Sequence, residues 1–158
     1  MASVLEKERG QSALEIGTGS GYLAEILQAN FAVVVATDID FESLRGAGIE
    51  NKVCCDAAGP MAQKFDLVVC NLPYLPSDGV VDRTVDGGTK GLEVPLKIIS
   101  SAIGCVSAGG TLLFLTSSLA EYEKLLALVA SRGLSASIVA KKRLFFEELI
   151  VVRAELPS

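Results

Sequence analysis

Leu14-Glu15-Ile16-Gly17-Thr18-Gly19-Ser20-Gly21-Tyr22 is the stretch that decides how this chain folds. A short apolar segment, Ser12 to Ile16, runs into three glycines at alternate positions. Tyr22 to Phe31 then carries Leu23, Ile26 and Leu27 at helical spacing. A strand that enters a glycine turn and leaves as a helix opens an α/β sheet. Glycines there let the backbone take positive φ and approach a ligand closely. The spacing is G-x-G-x-G, which differs from the dinucleotide pattern G-x-G-x-x-G.

Working outward, the same alternation repeats. Phe31 to Thr37 is a continuous β-branched run, expected to be a strand buried on both faces and ending at Asp38-Ile39-Asp40. Phe41 to Arg45 predicts a short helix stopped by Gly46 and Gly48, with Asp40 as its N-cap. Lys52 to Cys55 and Phe65 to Cys70 predict two more strands. Leu75 to Gly91 has no periodicity and predicts a long loop of functional kind. Val94 to Val106 predicts a helix, Gly110 to Thr116 a strand, and Leu119 to Arg132 a helix closed by Gly133.

The end of the chain breaks the rhythm. Leu134 to Ala140 and Leu144 to Ala154 are two strand-like runs with only Lys141-Lys142-Arg143 between them, which predicts a hairpin turning at that cationic triplet. The expectation is a Rossmann-like α/β fold with a seven-stranded, mostly parallel sheet and one antiparallel strand near its end. All 158 residues, 1–158, are expected to form one domain.

Composition narrows the function classes. Half the residues are hydrophobic, 21% are charged and the net charge is −5; the only cationic cluster, Lys141-Lys142-Arg143, reads as a solvated turn, so nucleic acid is disfavoured as a substrate. No apolar stretch approaches the roughly 18 residues that span a bilayer, and the start lacks a signal peptide's apolar core. A cytoplasmic location is expected. The four cysteines, Cys54, Cys55, Cys70 and Cys105, form no C-x-x-C pair and predict buried, reduced thiols. There is no histidine, so imidazole triads and His-ligated zinc are excluded and the chemistry is expected to need no metal.

Two sets of polar residues fall at strand ends, where open α/β sheets bind ligands. Glu15, Asp38 and Asp56 follow or close the first three expected strands and suit a cationic, hydroxylated, amino-bearing ligand. Asp38 would accept ribose hydroxyls, Asp56 an amino group, and Glu15 would face an ammonium. Each acid alone also suits a helix cap or a solvated turn. The second set is Asn71-Leu72-Pro73-Tyr74, directly after Phe65-Asp66-Leu67-Val68-Val69-Cys70. Asn offers an acceptor and a donor, Pro a fixed backbone, and Tyr a flat face with a polar tip. Such a set suits a planar amide or amine.

These residues resemble the class I S-adenosylmethionine-dependent methyltransferases. More narrowly, they are similar to the HemK-type glutamine N5-methyltransferases that modify peptide-chain release factors. The resemblance runs from about Gly10 to Ala154. It rests on the glycine loop, Ala36-Thr37-Asp38-Ile39, Phe65 to Tyr74, and Gly87-Gly88-Thr89-Lys90-Gly91-Leu92. It implies a sheet of order 3-2-1-4-5-7-6 with strand 7 antiparallel. It also implies that Glu15, Gly17, Thr18, Gly19, Gly21, Asp38, Ile39, Asp56 and Asn71 hold S-adenosylmethionine, while Asn71, Leu72, Pro73 and Tyr74 present the substrate amide.

Two departures stand out. The family's tetrapeptide is Asn-Pro-Pro-Tyr, and Leu72 replaces its first proline, which keeps the carbonyl and loses rigidity. Only about a dozen residues precede the first expected strand, as in the shorter archaeal and eukaryotic branch, whose eukaryotic members work with a small zinc-binding activator subunit. The resemblance therefore implies a release-factor substrate and a partner protein of that kind. The same tetrapeptide also serves methyltransferases of exocyclic amines in adenine or guanine of RNA or DNA. A third reading is a non-catalytic subunit of a larger methyltransferase.

Overall fold

The structure, a computed structural model, describes residues 1–76, 86–88 and 91–158. The glycine-loop unit forms as the sequence predicts: strand β1 (Gly10–Ile16) leads through the loop into helix α2 (Tyr22–Gln28). A short helix not expected from the sequence, α1 (Ala2–Leu5), precedes it and buries Leu5 completely. Strand β2 (Phe31–Asp38), helix α3 (Phe41–Gly46), strand β3 (Asn51–Cys54) and strand β4 (Phe65–Asn71) follow in the expected order. Asp40 caps α3, its side chain accepting from the backbone N–H groups of Glu42 and Ser43.

The segment expected to be one long loop contains a two-stranded parallel ladder, β5 (Leu75–Pro76) with β6 (Asp86–Gly88). Residues 77–85 and 89–90 of that expectation, which include Thr89 and Lys90, lie outside the described residues. Helix α4 (Glu93–Ile103), the long strand β7 (Val106–Ser117), helix α5 (Glu123–Ser131) and strands β8 (Ser135–Arg143) and β9 (Glu148–Glu155) complete the chain.

Seven strands form the main sheet in the order β3-β2-β1-β4-β7-β9-β8. With β5 and β6 set aside in their own small sheet, this is the arrangement 3-2-1-4-5-7-6. Pairings from β3 through β7 are parallel, and β9 runs antiparallel to both β7 and β8. Alternate residues of the central strands feed opposite faces, as pleating requires. Leu14, Ile16, Val68, Cys70, Leu112 and Phe114 join Ile99, Ala102, Leu125 and Val129 of α4 and α5 on one side. Ala13, Leu67, Val69 and Leu113 join Leu5, Ala24 and Leu27 of α1 and α2 on the other.

Three local expectations are corrected. Strand β2 is not buried on both faces throughout, since Val33 is 43% exposed near its start; β2 closes over only where α2 and α3 cover it. Lys141, Lys142 and Arg143 lie within β8, and the hairpin turns instead at 144–147. An exposed edge strand carrying lysines discourages pairing with another chain, which explains the charge run better than a turn does. Cys70 and Cys105 are buried, but Cys54 is exposed and Cys55 half-buried at the sheet's other margin.

Candidate active site

The C-terminal ends of β1, β2 and β4 lie side by side because their registers align: Ile16 pairs with Thr37 and with Cys70. The glycine loop hangs from β2 at that level. Both Gly17 N–H and Thr18 N–H donate to the Thr37 carbonyl at 2.9 Å. Gly17 and Gly19 take positive φ, +74° and +52°, and a side chain built on either meets nothing within 4 Å. The backbone of the loop therefore faces open space, the arrangement a ligand's close approach needs.

A cavity of about 300 Å³ opens beside the loop, with Glu15, Gly17, Thr18 and Ser20 on one side and Asn71 and Leu115 on the other. Met1, Ala2, Tyr22 and Leu23 also line it, so α1 contributes to a site the sequence placed wholly on the sheet. Glu15 is only 1% exposed at its floor, where Thr18 Oγ1 donates to Glu15 Oε2 at 2.6 Å. Burial is the largest influence on this carboxyl and pushes its pKa up to about 7. The Thr18 hydroxyl and a backbone N–H at Ala24 oppose the rise, and the nearby Asp38 charge adds to it. A buried carboxyl with one hydroxyl partner is poised to ionise against an arriving cation.

Asp38 stands on the far side of the loop and is already employed. One carboxylate oxygen accepts Gly19 N–H at 2.8 Å and the other accepts Asp40 N–H at 2.9 Å. It thus shapes the loop as well as presenting its remaining lone pairs. Ile39, beside it, is exposed. Asp56 forms an ion pair with Lys97 of α4, a partner the sequence gave no reason to pair with it across that separation. Asp38, Ile39, Asp56 and Gly19 do not line the cavity that joins Glu15 to Asn71; they border the loop and the β2–β3 margin.

The tetrapeptide continues from β4. Asn71 is exposed at the strand end, paired in register with Leu115 of β7, whereas the Leu72 and Pro73 side chains are buried. Leu72 N–H donates to the Leu115 carbonyl at 3.2 Å. A proline at 72 has no such donor, so this chain replaces ring rigidity with a backbone hydrogen bond. Tyr74 is partly buried, with Glu147 of the β8–β9 turn near enough to act on its phenol. Burial first, then the Glu147 charge and hydrogen bond, raise the pKa of the phenol.

Among the described residues, no group of three or more His, Cys, Asp or Glu side chains is arranged to hold a metal ion, and no helix is long and apolar enough to cross a membrane.

Comparison with known proteins meets this geometry at the same residues. The family described as a methyltransferase domain matches residues 14–75, from the glycine-loop strand to the tetrapeptide. One chain of the Mtq2–Trm112 complex of E. cuniculi, described as responsible for methylation of the eRF1 translation termination factor, superposes with a TM-score of 0.85. It is 27% identical, over 98% of this chain and 90% of that one. Over residues 14–75 the chain matches a methyltransferase domain, and over nearly its whole length it shares the fold of that chain of the Mtq2–Trm112 complex.

Its sequence relatives include two glutamine methyltransferases and, 36% identical over 101 residues (56% of this chain, 46% of that protein), a protein-L-isoaspartate O-methyltransferase of Methanospirillum hungatei. A putative protein N5-glutamine methyltransferase of Methanocaldococcus jannaschii is 27% identical over 161 residues, covering 92% of this chain and 82% of that protein. A release factor glutamine methyltransferase of Rhodospirillum rubrum is 29% identical over 122 residues, 63% of this chain but 37% of that protein. The methyltransferase loop here fits S-adenosylmethionine in its own terms: open space over Gly17 and Gly19, and a buried carboxyl that a cation would ionise.

Proposed function

We propose that residues 1–158 act as one methyltransferase unit, transferring the methyl group of S-adenosylmethionine to the side-chain amide nitrogen of a glutamine in a peptide-chain release factor. The observation that carries this reading is the position of Asn71. It opens onto the same cavity as Glu15, Gly17 and Thr18, so an amide held by the tetrapeptide faces whatever the glycine loop holds.

When bound, S-adenosylmethionine supplies an electrophilic methyl group on a sulfonium. Glu15 would balance its cationic part, Gly17, Thr18, Gly19 and Gly21 would follow its backbone-facing edge, and Asp38 with Ile39 would border its ribose. Asp56 would accept from the adenine amino group with an oxygen not engaged by Lys97.

An amide nitrogen is a poor nucleophile because its lone pair is delocalised, so orientation is the chief task. The Asn71 side-chain oxygen and the Leu72 carbonyl accept the two N–H groups and point the nitrogen into the cavity. Pro73 fixes the turn and Tyr74 packs against the flat amide. Holding reacting groups in this way contributes several kcal/mol. The nitrogen would gain the methyl carbon as its bond to the sulfonium sulfur breaks, leaving a neutral thioether, and would then lose one proton to water, so no imidazole base is required.

The likeness to the Mtq2–Trm112 structure and to a release factor methyltransferase supports the substrate class, and supports a small partner subunit for this chain as well. Four free thiols fit a reducing, cytoplasmic setting.

The test is transfer of labelled methyl groups from S-adenosylmethionine into a fractionated cell extract, followed by protease and nuclease digestion in parallel. Label released by protease alone supports a protein substrate. Label released by nuclease alone overturns it in favour of a base amine. No label, with or without a co-expressed partner, overturns the enzyme reading in favour of a binding subunit.

A further inference from the structure

The β8–β9 turn is not needed to build the cofactor loop, yet the sheet register brings it to the tetrapeptide. Asn71 of β4 pairs with Leu115 of β7, and two residues on, Ser117 of β7 pairs with Leu149 of β9. The tetrapeptide and the turn therefore flank one end of β7. The turn is fastened there: Ser118 N–H donates to the Glu148 carbonyl and Glu148 N–H to Ser118 Oγ, both at 2.9 Å.

Glu147 sits at the centre of this junction. Its Oε2 accepts from the hydroxyl of Ser117, a side chain with no exposure, and Ser117 Oγ in turn accepts Leu119 N–H at 3.2 Å. Next along the chain, the Ala120 side chain lies 3.3 Å from where a Gly91 side chain would begin, against the Tyr74 carbonyl. Ser117, Ala120 and Gly91 thus lead from Glu147 to the backbone of Tyr74.

We propose that Glu147 is a positioning residue: its carboxylate, anchored by the Ser117 hydroxyl, reaches on to the Tyr74 hydroxyl and so holds the tetrapeptide against the C-terminal end of β7. This deepens the amide-methylation reading and, for its kinetic part, rests on it. The tip residues Phe145 and Phe146, 91% and 87% exposed, stand directly before Glu147, so anything that moves the turn moves Tyr74. A hydroxyl–carboxylate network shielded at Ser117 favours a single arrangement when every member is satisfied.

The protein has three tyrosines and no tryptophan, so Tyr74 can be observed alone. In a chain carrying Tyr22→Phe and Tyr122→Phe, tyrosinate absorbance is followed against pH, with Glu147 intact and as Glu147→Gln and Glu147→Ala. Tyr74 is expected to ionise above the ordinary phenol range with Glu147 present and to move down in both variants. In the otherwise native chain, Glu147→Ala is expected to lower kcat about tenfold or more with cofactor affinity within about twofold. Glu147→Gln, which keeps an acceptor for both hydroxyls, recovers most of it.

An unchanged Tyr74 titration in Glu147→Ala overturns the proposal whatever the enzyme's substrate is. So does loss of cofactor affinity in step with kcat. If no glutamine is methylated by the native chain, the amide reading fails, and the titration still decides whether Glu147 holds Tyr74.

Discussion

A side chain on Gly91 would place its first carbon 2.3 Å from the carbonyl oxygen of Tyr74, well inside any real contact. Gly91 also has φ +67°, which side-chain-bearing residues rarely adopt. The glycine stands two residues before α4, against the last residue of the tetrapeptide, and it lets the two backbones touch. Gly91→Ala must therefore shift Tyr74 or strain the helix start. The expected outcome is a loss of roughly 1–3 kcal/mol of stability together with a fall in turnover of up to about 10²-fold. Thermal unfolding and steady-state kinetics on the same preparation check it; unaltered kcat would show that the Tyr74 carbonyl position is not critical.

Leu72 gives a second expectation. Because its N–H donates to the Leu115 carbonyl, restoring the family's proline removes a backbone hydrogen bond worth about 0.5–1.5 kcal/mol. Leu72→Pro should lower the unfolding temperature slightly and leave kcat no higher than in the native chain. A clear rise in kcat would mean that rigidity at this position, and not the hydrogen bond, limits the enzyme.

Asp38 holds the loop through Gly19 N–H and Asp40 N–H. Hydrogen bonds to a charged acceptor contribute about 1.5–3 kcal/mol, so Asp38→Ala should cost S-adenosylmethionine affinity at least about tenfold. Asp38→Asn, which keeps one acceptor oxygen, should fall between. Calorimetric titration measures both; equal affinity in all three chains would remove Asp38 from the cofactor's support.

Glu15 links pH to both stability and binding. Its pKa rises from 4.5 to about 7 on folding, so between those values the folded chain keeps a proton that the unfolded chain has lost. The corresponding stability is fully present below pH 4.5 and is lost as pH rises through 7. Glu15→Gln should therefore be more stable than the native chain above pH 7, and its stability should vary less across that window. Binding runs the other way. A cationic ligand favours the carboxylate, so native affinity should increase as pH rises through 7, with proton release below it, and Glu15→Gln should show a lower and flatter affinity. Denaturant melts and calorimetry at pH 5.5 and 8 (about one and a half units below the folded pKa and one above) separate the two effects.

What the sequence made legible and what it hid follow from range. The glycine loop, the strand ends at Asp38 and Asn71, and the Asp40 cap are written in residues close along the chain, and periodicity exposes them. Glu147 left no such mark. Its place beside Tyr74 is created by β9 pairing with β7 and β7 with β4, a relation no local pattern encodes. The hairpin was misplaced for a related reason. Its turn contains Leu144, Phe145 and Phe146, which read as strand, while Lys141 to Arg143 read as turn because an edge strand carries charge much as a loop does. Likewise nothing near Asp56 along the chain announces an ion-pair partner, and only the packing of α4 against the sheet brings Lys97 to it.

The account's central claim is that Asn71 presents a glutamine amide to the cavity it shares with Glu15. The most direct measurement is mass spectrometry of a purified release factor incubated with S-adenosylmethionine and this chain, with its partner subunit supplied, alongside Asn71→Ala. The account predicts one added methyl group on a glutamine side-chain nitrogen with the native chain, and none with Asn71→Ala even though that variant still binds S-adenosylmethionine. A methyl group on any other side chain, or undiminished glutamine methylation by Asn71→Ala, would contradict it.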